Sequence, residues 1–139
     1  MAFEKQPGIA MTFQAGEAMP NIVQKAVIFG TAENEILIGT ADSAKFAGIV
    51  AVVSPGKSSA NEGDDVTVVL DGVIEVTASG AIDVNAPLAL AADGKVKSIP
   101  DYDDKTKVSA ALASQYIGRA LQRATADGDI ITALVGARF

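Results

Sequence analysis

Residues 66–96 read VTVVLDGVIEVTASGAIDVNAPLALAADGKV, and the reading of this stretch decides the fold. Short β-branched runs alternate with turn dipeptides, which is how strands look in sequence. Val66, Val68 and Leu70 alternate with Thr67 and Val69, leaving one face apolar and the other mixed. Asp71-Gly72 lies between two apolar runs. Glycine tolerates the positive φ of a two-residue turn, so the pair predicts a hairpin. Pro87 cannot donate to a strand ladder and predicts a strand start or an edge. The stretch reads as a meander of about four strands. The flanking segments must cover its apolar face.

Upstream, residues 46–53 (FAGIVAVV) are apolar throughout, which predicts a strand buried on both faces. Gly48 inside this run predicts a bulge or close backbone packing. Residues 21–29 and 35–40 read as two further strands, and 54–63 as a loop. Residues 40–45 fit one helical turn or a wide loop. Downstream, 100–107 is a charged surface loop. Residues 108–114 are the only helix candidate; a helix below about 12 residues is marginal alone and must dock. Residues 116–125 and 130–135 form a final hairpin around Ala126-Asp127-Gly128-Asp129. That hairpin is expected to pair with the central meander, so that no long edge stays free. A turn residue followed by glycine recurs at Gly72, Gly80, Gly94 and Gly128. The spacing is irregular, so these are hairpin turns and not solenoid repeats. The sum is an all-β fold: a small antiparallel barrel or sandwich of short strands, with at most one short helix.

Residues 1–20 contain Pro7, Gly8, Gly16 and Pro20, too much punctuation for a helix. They predict an extended N-terminal arm, followed by a single all-β domain over 21–139. Phe3, Pro7, Ile9, Met11 and Phe13 give the arm an apolar edge, and two of the five phenylalanines lie there. Such a segment is expected either to stay a disordered tail, as untethered termini do, or to order on a partner by adding a strand to its sheet.

Composition excludes several function classes. The 139 residues suit one domain. Apolar residues make up 49%, but 25 are alanine and none is tryptophan, so the interior is thin or shared with neighbouring subunits. Without cysteine there are no disulfides. Without histidine the chain lacks the usual general base and the commonest transition-metal ligand. A serine–carboxylate triad then has no base. Carboxylate pairs for glycoside cleavage would lack aromatic sugar platforms. Asp101, Asp103 and Asp104 crowd one loop, but the loop lacks the central glycine and distal glutamate of a calcium loop. Asp104-Lys105 is similar to the hairpin lysine of lipoyl-carrier domains, but a lone pair in a hydrophilic stretch is a weak signal. The expectation is no catalysis, no cofactor and no metal. A net charge of -6 opposes nucleic-acid binding. No apolar run approaches the roughly 20 residues of a membrane span. The first residues lack a basic region followed by an apolar core, so they are not expected to be a signal peptide, and synthesis in the cytosol is expected.

The C-terminal third carries a recognisable pattern. Ile117-Gly118-Arg119-Ala120-Leu121, then Ala124, Asp127-Gly128-Asp129-Ile130 and Leu134-Val135, resembles the closing hairpin of tailed-bacteriophage head decoration proteins, also called capsid cement proteins. Ala47-Gly48-Ile49-Val50, Gly63, Val84-Asn85-Ala86-Pro87-Leu88 and Asp93-Gly94-Lys95-Val96 resemble the middle of the same family. The resemblance spans about residues 20–135 and rests on structural turns. It implies a non-enzymatic virion protein on the outer capsid surface. Such a protein binds the expanded head as a homotrimer and clamps neighbouring major capsid protein subunits. Phe3, Pro7, Ile9, Met11 and Phe13 would then contact the shell or a neighbouring subunit. The alternative is a small β-rich binding or adhesion module for carbohydrate or a host surface; scarce aromatics count against it.

Overall fold

In the computed structural model the run 66–77 is one strand, not two. The structure describes residues 6–54, 56–100, 102–104, 106–107 and 109–136. In chain order the strands are β1 (Gln6–Ala15), β2 (Ala26–Phe29), β3 (Glu35–Ile38), β4 (Phe46–Val52) and β5 (Asp65–Thr77). There follow β6 (Pro87–Leu90), β7 (Val96–Ser98), β8 (Gly118–Ala120) and β9 (Ile130–Val135). A 3-10 turn, Ala92–Gly94, joins β6 to β7, and a five-residue helix, α1 (Ala110–Ser114), precedes β8.

The nine strands form one sheet in the order β1-β3-β2-β4-β5-β9-β8-β6-β7, and β1 returns to pair with β5. The return closes a ring of β1, β3, β2, β4 and β5. Five strands cannot alternate direction all the way round, so one adjacent pair must be parallel. That pair is β1–β3, joined at Gln14–Glu35 and Ala15–Ile36; the other four pairs are antiparallel. The remaining strands run antiparallel from β5 through β9, β8 and β6 to β7. A parallel bridge from Val96 to Ala78, just past β5, brings their ends together. The expected small antiparallel barrel is thus one closed five-strand ring and a second, partly closed one that shares β5 with it.

Each ring has its own interior. Phe13, Met19, Ile22, Ile36, Val50, Val66 and Val68 fill the first. Ile74, Val76, Leu88, Leu90, Ile117 and Ile131 fill the second, together with Phe46, Ile49 and Val69 from the back of the first ring. β4 is therefore buried on both faces as its unbroken apolar run predicts: Ala47 and Val50 face one interior, Phe46 and Ile49 the other. Gly48 sits where a Cβ would strike the Val69 carbonyl and the Val68 side chain, which is the close packing expected of it.

The Asp71-Gly72 hairpin does not form. Ala10 pairs with Val69 and Ile9 with Asp71, so Leu70 is an extra residue on β5; one step on, Gly8 is the extra residue on β1. Such a bulge reverses which residues face inward. Before it the odd-numbered Val69 faces the second interior; after it the even-numbered Ile74 and Val76 do. Gly72, at φ 135, supplies the unusual backbone the change requires. Bulges and tight hairpins use the same residues, which is why the dipeptide misleads.

Residues 66–96 consequently hold three strands where about four are expected, and only Asp93-Gly94 turns a hairpin there, between β6 and β7. β6 begins at Pro87, as the missing N–H predicts. The strand expected over 21–29 starts only at Ala26. Asn21 and Gln24 take positive φ, and the Gln24 carbonyl accepts from both the backbone N–H and the hydroxyl of buried Thr77, at 2.9 Å each. The closing hairpin forms, but its first strand, expected over 116–125, is only Gly118–Ala120, so residues 121–129 connect the two strands. β9 pairs with Gly72 to Thr77 of β5, and Asp129 Oδ2 closes the turn by accepting from the Thr125 and Ala126 N–H groups.

Candidate functional site

The segment expected to be a free arm is extended, but from Gln6 to Gln14 it pairs with β5 of its own chain. Its strand register is set by residues some sixty positions away, which local sequence does not reveal. Phe13 pairs with Val66 and is buried at 7% exposure, its ring edge-on to Phe29 with centroids 6.1 Å apart. It belongs to the core and not to a contact surface. Met11 and Ile9 follow on the same side of the strand, at 50% and 51% exposure. They lie past the mouth of the first ring. The backbone of Pro7 pairs with Gly72. Phe3 lies outside the described residues.

Directly opposed residues of an antiparallel pair share a face, so the register maps the surface that Ile9 belongs to. Ile9 stands opposite Asp71, two residues from Val73 on β5. Val73 stands opposite Leu134 on β9, and Leu134 opposite Arg119 on β8. The inward face of the first ring thus continues beyond its mouth as an open sheet. Met11, Ile9, half-buried Val73 and Leu134 (40% exposed) form an apolar stripe across it, interrupted by Asp71 between Ile9 and Val73. Phe29, Val52, Val84 and Ile130 are also exposed, but among the described residues only here do exposed apolar side chains follow one another across neighbouring strands.

The stripe ends at a polar clamp that the sequence reading missed. Arg119 donates two hydrogen bonds to the Asp103 carboxylate, at 2.7 and 3.1 Å, and a third to the Asn85 carbonyl at 3.0 Å. Its guanidinium lies over the Tyr116 ring, 5.9 Å from the centroid, and Tyr116 stacks on Tyr102 at 4.8 Å. The guanidinium hydrogen bonds hold the Asp103 carboxyl below the usual carboxylate range, and Asp103 in turn raises Arg119. The clamp fixes the charged loop over 100–107 to β8. The signal available in sequence was that one of the chain's two tyrosines, Tyr102, lies in this loop and the other, Tyr116, three residues before Arg119. For Leu134 local sequence offers none: 130–135 is apolar except for Thr132, and only the structure separates exposed Leu134 from buried Ile131, Ala133 and Val135.

The other sequence candidates are not brought together. Asp103 is occupied by Arg119, and Asp104 accepts from the N–H and hydroxyl of Thr106. Asp101 and Lys105 lie outside the described residues. Among the described residues no group of acidic side chains has the arrangement of a metal site.

Comparison with known proteins gives three findings. A family model described as phage cement protein matches residues 5–137. The chain is similar in fold to the head fiber gp8.5 N base of bacteriophage phi29, with a TM-score of 0.60 and 19% identity, covering 91% of this chain and 92% of that one. No curated protein matches.

Proposed function

The chain belongs to the phage cement protein family. From that premise we propose that it binds the outer surface of the expanded phage head and stabilises contacts between major capsid protein subunits. The observation that carries this reading is the open apolar stripe of Met11, Ile9, Val73 and Leu134 beside the first ring. Pro7 and Phe3 of the same leader belong to the proposed contact; Phe13 is committed to the core. The head fiber base whose fold it shares is, by its own description, part of a phage head.

Magnitudes argue for several copies acting together. Fully burying one large apolar side chain contributes about 1.5–3 kcal/mol. The stripe has only a few such side chains, each already part-covered. Association costs about 4–15 kcal/mol. A single copy would hold weakly, and a homotrimer would multiply the contacts through effective concentration. The trimer is part of the proposal.

The test is occupancy on undecorated expanded heads of the encoding phage, read by co-sedimentation. The wild-type chain is expected to saturate them, and the double variant Ile9→Asp/Met11→Asp to lose at least about tenfold in affinity with an unchanged circular dichroism spectrum. A wild-type chain that stays in the supernatant overturns the capsid reading. A double variant that binds like wild type overturns the face. Light scattering at one chain mass of 14.2 kDa would overturn the trimer.

A further inference from the structure

A second surface lies at the opposite end of the first ring. β1 leaves β3 after Ala15, and the last bond between them runs from the Gly16 N–H to the Ile36 carbonyl. A Cβ on Gly16 would meet the Glu35 and Leu37 side chains, so the chain turns away there. Alternate residues of an antiparallel strand bond to alternate sides. Gly39 N–H donates to the Ala26 carbonyl of β2 and the Glu35 carbonyl accepts from Gly30, so odd-numbered residues face β2. Ile38 therefore points its N–H and C=O at the side β1 has vacated, where no strand lies beside it among the described residues.

What lies there is a cleft of about 360 Å³, within the ~300–1,000 Å³ range of ligand clefts. Ile28, Leu37 and Ile38 give it an apolar floor; Glu17 and Asp93 stand on its two walls. Neither carboxylate has an ion-pair partner among the described residues. Asp93 is held in place by its left-handed backbone, φ 58, in the 3-10 turn, and the Gly94 N–H anchors that turn to the Gly39 carbonyl at 3.0 Å.

We propose that this cleft takes an extended polypeptide segment in which a lysine or arginine is flanked by apolar residues, added as a strand to the open edge of β3 at Ile38. Main-chain bonds to the edge give the docking, and the charge pattern gives the choice. The two acidic walls fit a cationic side chain, and the floor fits its apolar neighbours. A segment with an acidic residue at the same place meets two like charges. This inference does not depend on the capsid reading: it concerns a different end of the ring, some six residues along β1 from Met11.

The probe is the blocked pentapeptide acetyl-Val-Lys-Val-Lys-Val-amide, titrated into the full ¹⁵N-labelled chain, with the glutamate peptide acetyl-Val-Glu-Val-Glu-Val-amide as control. The lysine peptide is expected to shift the amide signals of Ile38, Gly39, Thr40 and Asp93 and to leave those of Ile9 and Met11 in place. The control should shift none of them. The variant Glu17→Gln/Asp93→Asn, in which asparagine keeps the left-handed backbone accessible, should weaken the lysine peptide about fivefold. Raising salt to about 0.5 M should act in the same direction without any substitution. No response at Ile38 and Thr40, an equal response to both peptides, or indifference to both salt and substitution would each overturn the proposal.

Discussion

The two halves of β1 make the instructive comparison. Both pair with β5, both are extended, and both present apolar side chains at every second position. Phe13 and Ala15, in the inner half, are closed in by the ring. Ile9 and Met11, in the outer half, run out past its mouth and stay half-exposed. The same alternating pattern therefore fills the core at one end and leaves apolar side chains open to solvent at the other. The difference is made by what lies across the sheet, not by the strand itself. At Phe13 the facing side chains include Met19, Ile22, Ile36 and Val50. At Ile9 the facing space is solvent.

Substitutions can break this contrast, and the largest stability effect belongs to the inner half. Phe13→Ala should cost about 3–5 kcal/mol, because it empties a buried ring position; urea denaturation measures it, and a loss below 1 kcal/mol would place Phe13 outside the core. Next comes Gly48→Ala on β4, whose Cβ would strike the Val69 carbonyl. Overpacking of this kind costs about 1–3 kcal/mol, visible as a lower denaturation midpoint. In the outer half, Ile9→Asp and Met11→Asp should each change stability by no more than about 0.5 kcal/mol, while attachment to heads is lost. A large stability loss there would mean that the outer half is structural too.

The smallest effect sits at the far end of the stripe. Asp103→Asn should leave the denaturation midpoint unchanged but speed hydrogen exchange at Tyr102 and Asp103. Acid should do the same. The Asp103 pKa is lowered from 3.8 in the folded state, so its contribution is complete above the unfolded value and is lost as pH falls through the lower folded one. Exchange in this loop that stays unchanged down to pH 2 would show that the Arg119 clamp does not hold it.

Much of the fold was legible because its signals are local. The unbroken run over 46–53 predicts burial on both faces, which holds from Phe46 to Val50 but not at exposed Val52; Pro87 predicts a strand start and residues 116–135 a closing hairpin, and both are present. What failed was either degenerate or non-local. Asp71-Gly72 serves a bulge as well as it serves a hairpin. The turns at Asn21 and Gln24 are imposed by bonds to Ser59 and Thr77, far along the chain. The surface was half legible. Ile9 and Met11 stand out by alternation, but Leu134 and Arg119 join them only through the register of β5, β9 and β8.

β5 is a party wall. Val66 and Val68 hang into one room, Val69, Ile74 and Val76 into the other, so one strand furnishes both. Neither room can be vacated while the other stays occupied, since emptying either takes down the partition. Heating should therefore collapse the molecule in one sharp step, with no half-melted species surviving on the way.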